Sequence, residues 1–480
     1  MVGFVRGALT AIVILGVTWG GVIAYWRSAG TVPDARDIIA YLGLLPVGVF
    51  GGGWALRRIA LRARDAAVER AAHRAETVPR ETVPAEQASA APLPRPLAVL
   101  SASVRLPLGL EPATLLADPL ASPRLRPHPR HRDHRGLPVY VAMAADVDAE
   151  SALAPELDGE QAEHVRRALA LLEPVVEDLL LDAAQALPAL VRNEGRVVAG
   201  LRQTLAEVVE RQLSIELLVP GTWAQPLREA CAAWLARMAE QHGIDARRFQ
   251  VQVVAADDAE AVWPRLHRRL DASAQASPGW DLLLACHSAI GTSSLERLEA
   301  AGQLRTHASP DGQVPGEAAA GVLLGWPPTQ APLLRAVERV ELPGRCTVAA
   351  RGRLTGTLAG TALERGAIEA ARVDLVLSDA DLRAMPAAEA SAATSLACNE
   401  LDLSHQYVAL GTSTGETGAV QPLAQLALAL RHLQAGGDAA LLLSVTPSTS
   451  RWAAVLDSRS PEQRGPDDDR TPVAAQTEPV

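Results

Sequence analysis

Two apolar stretches without a charged residue lie near the start of the chain. They cover residues 7–26 and 38–56, and each is close to the roughly 20 residues that cross a bilayer as a helix. Trp26 and Trp54 lie near their ends, where aromatic side chains favour the membrane surface. No clear small-x-small cleavage site follows the first stretch, which disfavours a signal peptide. The pattern predicts a transmembrane helical hairpin over residues 1–57.

Arginines follow the second stretch in a short run, RRIALRAR, from Arg57 to Arg64. Because positively charged flanks stay in the cytoplasm, we expect the rest of the chain to be cytoplasmic. Residues 58–96 are first Ala/Arg-rich and then Pro/Ala-rich, which predicts a helix followed by a linker. Residues 458–480 are acidic and contain several prolines, which predicts a disordered tail. The remaining body, residues 97–457, is predicted to be soluble and folded.

Within the body, short apolar runs alternate with longer segments of helical period. QAEHVRRALALLEPVVEDLLLDAAQAL is a segment of the second kind. This alternation predicts an α/β fold built in layers. The runs predicted to be strands are LAVLSASVRL, GLPVYVAMAAD, LSIELLVPG, FQVQVVAAD, WDLLLACHS, GVLLGWP, TVAARGRLTG, VDLVLSD, QYVAL and DAALLLSVTP.

A weak internal repeat is present in the body. ELLVPGTWAQPLREACAAWLARM (Glu216–Met238) and YVALGTSTGETGAVQPLAQLALALRHL (Tyr407–Leu433) share the order strand, Gly-Thr turn, QPL and apolar helix. An apolar strand follows downstream of each. The repeat predicts a duplicated α/β unit, with halves at about residues 97–326 and 327–457.

Composition narrows the classes of function. The 480 residues carry a net charge of −10, which argues against nucleic acid as a general partner. Every basic residue is arginine or histidine, so a mechanism that needs a catalytic lysine is excluded. The four cysteines, at positions 231, 286, 346 and 398, have no CxxC spacing. We therefore expect reduced, mostly buried thiols and neither a zinc site nor a disulfide framework.

Ser413 lies in GTSTG, which has the G-x-S-x-G form of a nucleophile elbow. That elbow needs an acidic residue and then a histidine later in the chain. The only later histidine is His432, and the only acidic residue between them is Glu416, three positions after the serine. The triad cannot be completed in its usual order, so we expect a polar loop at a helix N-terminus.

Two further sets of residues are candidates for chemistry. Cys286 and His287 are adjacent in a predicted strand, so their side chains point to opposite faces and the imidazole cannot activate the thiol. His128, His131 and His134 in RPHPRHRDHR could chelate a metal, but the surrounding arginines would repel a cation. We expect an exposed basic loop there, able to bind an acidic partner or phosphate.

Two segments resemble the β-ketoacyl synthases of the thiolase-like fold. PDGQVPGEAAAGVLLG (Pro310–Gly325) is similar to their PGEGAA-type segment, and Thr412–Leu433 to the Gly-rich loop and buried helix of their second half. The resemblance implies a thiolase-like layered α/β fold with two similar halves. It places the GTSTG loop in the second half. It also places Cys286 where those enzymes usually have glycine, away from their nucleophile.

The catalytic pattern that this resemblance implies is absent. LLVPGTWAQPLREAC (Leu217–Cys231) has Pro-Gly-Thr at the expected nucleophile turn and its cysteine well inside the helix. VDLVLSDADL has no histidine where the first active-site histidine is expected, and Glu416 stands where the second is expected. Decarboxylative condensation needs the thiolate and both histidines. We therefore expect a non-catalytic body with no catalytic residue, no cofactor and no metal ligand.

A second resemblance covers more of the chain. A membrane hairpin, then Val99–Pro119 and HRDHRGLPVYVA (His131–Ala142), then a thiolase-like body, is similar to the type VI lipase adaptor family. The resemblance implies a bacterial inner-membrane adaptor or chaperone that loads a lipase effector onto the type VI secretion spike. Candidate partner surfaces are Arg124–Arg135 and the helix with Arg265, Arg268 and Arg269.

Two alternatives stay open beside the adaptor. One is a divergent thioester-handling acyltransferase of the ketosynthase-like class, with Cys231 or Ser413 as its nucleophile. The other is a structural inner-membrane component that oligomerises through the body, since thiolase-like folds commonly form dimers.

Overall fold

Strands and helices alternate along the whole body of the protein. A computed structural model describes residues 95–107, 115–116, 125–144, 147, 160–188, 196–198, 201–203, 212–272, 279–325 and 331–458. These residues all belong to one unit, Pro92–Val480. The predicted transmembrane hairpin, the helix and linker up to residue 94 and the tail from residue 459 lie outside the described residues. Within those residues, no helix is both long and apolar enough to cross a bilayer.

The described elements comprise strands and helices in an α/β order, as the alternation predicts. The strands are β1 (Leu97–Arg105), β2 (Arg126–Arg132), β3 (Pro138–Val141), β4 (Arg196–Val198), β5 (Leu201–Gln203), β6 (Leu213–Val219), β7 (Phe249–Ala255), β8 (Trp280–Ser288), β9 (Glu317–Gly325), β10 (Leu333–Glu341), β11 (Val373–Ser378), β12 (Tyr407–Ala409), β13 (Ala439–Ser444) and β14 (Ser450–Asp457). The α-helices are α1 (Glu160–Ala186), α2 (Gln225–Gln241), α3 (Trp263–Ala272), α4 (Thr292–Ala300), α5 (Val348–Gly366), α6 (Ala384–Ala397), α7 (Gly411–Thr414) and α8 (Val420–Gln434). Short 3₁₀ turns lie at Ala259–Ala261 and Ala370–Arg372.

Ten strands form one sheet whose two halves have the same topology. The strand order is β12-β11-β13-β14-β10-β1-β9-β8-β6-β7. In the first half β6 is parallel to β7 and β8, and β9 runs antiparallel to β8 and β1. In the second half β11 is parallel to β12 and β13, and β14 runs antiparallel to β13 and β10. The halves join where β1 pairs with β10 at Leu97↔Leu334 and Ala98↔Leu333.

This topology corrects the segment pairing on which the internal repeat was based. By position in the sheet, β6 corresponds to β11 and β7 to β12. The Gly-Thr turn at Gly221 follows β6, whereas the one at Gly411 follows β12. These segments are therefore not equivalent, although the apolar strands downstream of them, β8 and β13, do correspond. The residue identities that the two segments share are coincidental, whereas the order of strands and helices reflects the actual structural repeat.

Each half of the sheet packs helices on both of its faces. One face of both halves meets α3 and α8 in a central apolar core that includes Leu283, Trp263 and Leu428. On the outer face, α1 and α2 cover the first half around Leu284. The outer face of the second half packs α5, with Leu441 in that core. Since neighbouring residues of a strand point to opposite faces, Leu283 and Leu284 belong to different cores.

One predicted strand is a helix. TVAARGRLTG was predicted to be extended, but it forms the first half of α5. Thr347 caps this helix, because its hydroxyl oxygen accepts a hydrogen bond from the Ala350 N–H at 3.3 Å. Alanine, leucine and arginine also have high helix propensity, which outweighs the two threonines.

A buried ion pair ties helix α6 to strand β14. Arg451 and Glu389 are 1% and 0% exposed, and the Arg451 Nη2 donates to Glu389 Oε2 at 3.0 Å. The Thr355 hydroxyl of α5 donates to the other carboxylate oxygen at 2.8 Å. The Arg451 Nη1 donates to the Ser450 carbonyl oxygen at 2.7 Å. The charges are therefore matched by hydrogen bonds from three elements, which such buried pairs require.

Candidate functional site

A cavity of about 520 Å³ opens where the parallel strands of both halves end. Its wall contains residues that lie at or beyond the carboxyl ends of β6, β7 and β8, and of β11, β12 and β13. Those residues are Pro220, Thr222, Asp257, Asp258, Ala259, His287, Ser288, Ala289, Arg383, Glu416, Thr446, Pro447 and Ser448. Open α/β sheets bind ligands beyond the carboxyl ends of their strands. The duplicated topology thus brings six strand ends to one site.

Glycines let the loops of the two halves approach closely at this cavity. The Gly316 N–H donates to the Glu416 carbonyl oxygen at 3.1 Å, and the Glu416 N–H donates to the Val314 carbonyl oxygen at 2.7 Å. A Cβ at Gly316 would lie 2.1 Å from the Thr414 carbonyl oxygen. At Gly418, where φ is +56°, a Cβ would lie 2.7 Å from the Asp257 carbonyl oxygen. Only glycine fits both positions.

His287 lies at the end of β8 and lines the cavity. Its side chain points to the face opposite to that of Cys286, as the strand period predicts. Burial, reinforced by His164 and opposed by the Asp257 carboxylate, lowers the pKa of His287 to about 4. The imidazole makes no hydrogen bond to any described residue. It is therefore a neutral group, available as a proton acceptor near neutral pH.

Glu416 and His287 both adjoin Gly418. Glu416 Oε1 accepts a hydrogen bond from the Gly418 N–H at 3.0 Å, and the position of a Cβ on Gly418 is 3.3 Å from His287 Nδ1. Burial raises the pKa of Glu416, with the Gly418 N–H and Arg383 opposing and Asp381 and Asp379 adding to the shift. The two groups next to this glycine thus have pKa values shifted in opposite directions.

Asp379, in the segment where an active-site histidine is expected from the resemblance, has a structural role. It is 2% exposed and accepts hydrogen bonds from the Ser444 hydroxyl at 2.6 Å and the Val445 N–H at 2.7 Å. The Thr446 hydroxyl donates to it at 2.7 Å. Burial raises the pKa of this carboxyl, and these hydrogen bonds oppose the shift. Asp379 therefore fixes the turn after β13, whose residues Thr446–Ser448 form part of the cavity wall.

Two guanidinium groups face the cavity. Arg383 is paired with Asp381 at 2.7 Å. Arg297 of α4 is exposed and donates to the Ser294 hydroxyl oxygen at 3.0 Å, but it forms no ion pair with a described residue. Arg297 is therefore the cavity's free cation within the described part of the chain.

The cysteines are remote from this chemistry. Cys231 in α2 and Cys286 in β8 are 0% and 2% exposed and belong to the outer core of the first half. Burial raises the pKa of the Cys231 thiol to about 11 and that of Cys286 well above its usual value. All four cysteines are described, and none of them lines the cavity. The described cavity wall therefore contains no cysteine.

Ser413 is placed in the short helix α7 and is 4% exposed. His432 lies at the far end of α8, where its Nε2 contacts Asp374 Oδ1 at 2.7 Å. GTSTG thus forms the buried helix α7 where a polar loop was expected, and His432 is paired with Asp374.

The histidine-rich segment is not an exposed loop. RPHPRHR forms β2, in which His128 and His131 are 4% and 8% exposed, whereas His134 is exposed. A register shift between Pro127 and Arg132 turns both rings inward. In the described residues, no group of three or more histidine, cysteine, aspartate or glutamate side chains is placed to hold a metal ion. In the second candidate surface, the helix with Arg265, Arg268 and Arg269, two of the three arginines are already in ion pairs. Arg265 and Arg269 both pair with Glu216.

Several cavity residues carry no motif in the sequence. Asp257, His164 and Arg297 come from three separate elements, and only the sheet topology brings them together. The signal that could have found Asp257 and His287 is position, because Asp257 lies two residues after β7 and His287 is the second-last residue of β8.

We expect one cysteine to react when the folded protein is treated with a thiol reagent. Cys231, Cys286 and Cys398 are buried, whereas Cys346 is partly exposed. Burial raises the pKa of Cys398 to about 11, and the thiol form is unreactive. Mass spectrometry of iodoacetamide-treated protein should show one modified site, and the urea-unfolded protein should show four. Rapid modification of Cys231 in the folded state would contradict the burial.

Because of His287, the free energy of unfolding is expected to decrease as the pH is lowered below neutrality. In the unfolded chain an imidazole binds a proton below about pH 6.5, whereas folded His287 does so only near pH 4. The contribution of His287 to the free energy of unfolding is therefore fully present above the pKa of the unfolded chain. It is lost as the pH falls towards the pKa of the folded protein. Urea unfolding between these pH values should show a shallower decline for His287→Gln than for the wild type. Equal slopes would contradict the assignment.

Comparisons with solved structures place the fold. The chain is similar to a ketosynthase in complex with the acyl-carrier protein of a type II polyketide synthase (13% identity, TM-score 0.52, 76% of this chain and 99% of that one). It is also similar to the ketosynthase from module 6 of the bacillaene synthase of Bacillus subtilis (12%, 0.51, 76% and 72%). A third similar structure is an oxazolomycin ketosynthase domain of Streptomyces albus (13%, 0.50, 78% and 75%).

No protein-family model matches the chain, and no curated protein matches its sequence. The structural similarity confirms the prediction of a mixed α/β fold of the thiolase-like kind for the described body. At these identities the similarity concerns the fold.

Proposed function

We propose that this protein is a divergent, ketosynthase-like protein that handles acyl thioesters without a cysteine nucleophile. The observation that carries the proposal is that His287 and Glu416 both adjoin Gly418 and both line one cavity. Burial disfavours the charged form of both groups, so it lowers the pKa of the imidazole and raises that of the carboxyl. A neutral imidazole can accept a proton and a protonated carboxyl can donate one, so we assign His287 as the base and Glu416 as the acid.

Hydrolysis is the simplest acyl transfer that these two groups would catalyse. His287 would take a proton from water as the water oxygen bonds to the thioester carbonyl carbon. As the carbon–sulfur bond breaks, the leaving thiolate would take the proton of the Glu416 carboxyl. The products are a carboxylic acid and a thiol, and the proton held by His287 returns the carboxyl to its starting state through solvent.

Arg297 would position the carrier of the acyl group. Its guanidinium lies at the cavity without a carboxylate partner among the described residues. Biological thiol carriers of acyl groups are phosphorylated, and a guanidinium is a good phosphate ligand. The exposed position of Arg297 fits a contact outside the reacting centre.

Thiol release from a panel of acyl-coenzyme A substrates, measured with the full-length protein, tests the proposal. We expect turnover that falls by about 100-fold or more in His287→Gln and in Glu416→Gln, since each removes a proton-transfer group. Cys231→Ala and His432→Gln are matched controls outside the cavity and should keep the rate. Absence of both binding and turnover for the whole panel, or loss of turnover in Cys231→Ala, would reject the proposal.

A second candidate is the membrane-tethered adaptor that the sequence resemblance implies. The observation in its favour is the burial of all the nucleophiles considered, Cys231, Cys286 and Ser413. In that role the body would bind a secreted lipase effector or a type VI spike protein at the inner membrane. Affinity purification of the full-length protein from the native bacterium should then recover an identified lipase or spike protein. Its recovery without any thioester turnover would favour the adaptor over the enzyme.

A further inference from the structure

The β2–β3 hairpin presents an apolar outer face. In its register Pro127 lies opposite Tyr140, and Arg132 lies opposite Pro138. Directly opposed residues share a face of an antiparallel pair, and residues two apart along a strand do so as well. These four side chains therefore form the outer face. The inward side chains of β3, Val139 and Val141, are 1% and 0% exposed.

The turn of this hairpin is rigid and ends in an exposed leucine. Asp133 Oδ1 accepts hydrogen bonds from the Arg135 N–H at 2.9 Å and the Leu137 N–H at 2.8 Å. Gly136 has a φ of +77°, which completes the turn. Leu137 is 41% and Tyr140 50% exposed, two of the five exposed large apolar side chains of the described residues. Leu137 directly precedes β3, and Tyr140 lies in that strand.

The same hairpin carries several arginines. Arg130 is paired with Glu163 at 2.7 Å. Arg132 and Arg135 are exposed and form no ion pair with a described residue, although Arg135 interacts electrostatically with the Asp133 carboxylate. Arg132 donates only to main-chain carbonyl oxygens, that of His128 at 2.9 Å among them. Arg126 lies opposite the inward-facing Val141 and is not part of the outer face. On a chain with a net charge of −10, two exposed guanidinium groups beside two exposed apolar side chains make a distinct surface.

This surface adjoins the cavity. The Ala142 N–H, just after β3, donates to the carbonyl oxygen of Pro315, a residue of the cavity wall, at 2.9 Å. The His134 N–H in the turn donates to Glu299 of α4 at 2.8 Å. Arg297 and Leu298 of the same helix line the cavity. A contact made by the hairpin would therefore orient the cavity mouth.

We propose that the outer face of the β2–β3 hairpin docks on an anionic phospholipid surface. Arginine at such a surface is attracted to acidic headgroups, and tyrosine places its ring and hydroxyl at the boundary between lipid and water. A projecting leucine tip enters a lipid layer directly, whereas a protein partner would have to offer a matching groove. The proposal does not depend on thioester turnover.

A fluorescent probe at the turn tests the docking in the full-length protein. An environment-sensitive dye is attached at Leu137→Cys in a Cys346→Ser background, since the other native thiols are buried. Vesicles with about 30% phosphatidylglycerol should raise the emission at least about three-fold, and phosphatidylcholine vesicles should not. The rise should vanish at about 0.5 M salt, where charges are screened.

Matched variants distinguish docking by this surface from nonspecific electrostatic attraction between the protein and the vesicles. Arg132→Gln together with Arg135→Gln should abolish the response, and Tyr140→Ser should weaken it. The same double change at Arg237 and Arg353, which lie in α2 and α5, should leave it intact. A dye at Leu181→Cys of α1, 52% exposed, should not respond.

A response to polyglutamate but not to anionic vesicles would overturn the proposal in favour of an acidic protein partner, and a response to neither would also overturn it.

Discussion

Replacement of Arg451 by methionine is expected to destabilise the protein by about 3–5 kcal/mol, because it leaves a buried carboxylate without its cation. Glu389 is fully buried, and after the change its remaining side-chain donor is the Thr355 hydroxyl. No rearrangement can bring water to it without opening the contact between α6 and β14. The free energy of unfolding, measured by urea titration, checks this expectation.

Two controls separate the buried charge from lost packing. The double change Arg451→Met with Glu389→Leu removes both charges and should recover most of the loss. Arg365→Met breaks an ion pair with Glu338 whose arginine side chain is 59% exposed, and should cost less than about 1 kcal/mol. A double variant as unstable as the single one would show that the methionine is misfitted and that charge is not the cause.

Gly316→Ala should disrupt both the stability and the chemistry of the cavity. The added methyl group would lie 2.1 Å from the Thr414 carbonyl oxygen and 3.2 Å from that of Glu416. The loops must then separate, which should cost about 3 kcal/mol as an overpacked main-chain contact. Displacement of Glu416 should lower any thioester turnover about 100-fold, the usual effect of a misplaced catalytic group.

Gly360→Ala provides the matched control for that substitution. Gly360 lies inside α5 with no atom within 4 Å of the position of a Cβ. Alanine there should stabilise the protein by about 0.5–1 kcal/mol through helix propensity. Urea unfolding and the thioester assay on both variants check the pair. A Gly316→Ala protein of wild-type stability would mean that the two loops are not held as closely as the hydrogen bonds indicate.

Sequence patterns predicted which segments form strands and helices better than they predicted which elements lie next to each other in the fold. Runs such as LSIELLVPG and WDLLLACHS are apolar because both of their faces are buried, and they form β6 and β8. The strand β14, SRWAAVLD, was not predicted, although all eight residues are buried. Its terminal charges, which pattern analysis assigns to a surface, are matched inside the protein by Glu389 and other partners.

The cavity was beyond sequence patterns for a different reason. His287 and Glu416 are far apart in the chain, and they meet because two copies of one topology place their strand ends together. Residues such as Asp257 have no motif of their own. The burial of Cys231 and Cys286, in contrast, agrees with the prediction of mostly buried thiols, since both lie in apolar segments.

Helix α8 has a consequence for how the chain reaches its folded state. It belongs to the second repeat, but it packs against β9, β1 and β8 of the first repeat. A ribosome that has released only residues up to Gly325 has therefore produced a first repeat that still lacks α8, one of the two helices of the central core. That repeat cannot complete its core until about a hundred further residues, including those of α8, have left the ribosome. We expect the nascent chain to need chaperone protection over this interval, and the two repeats to acquire stability together in a single cooperative step.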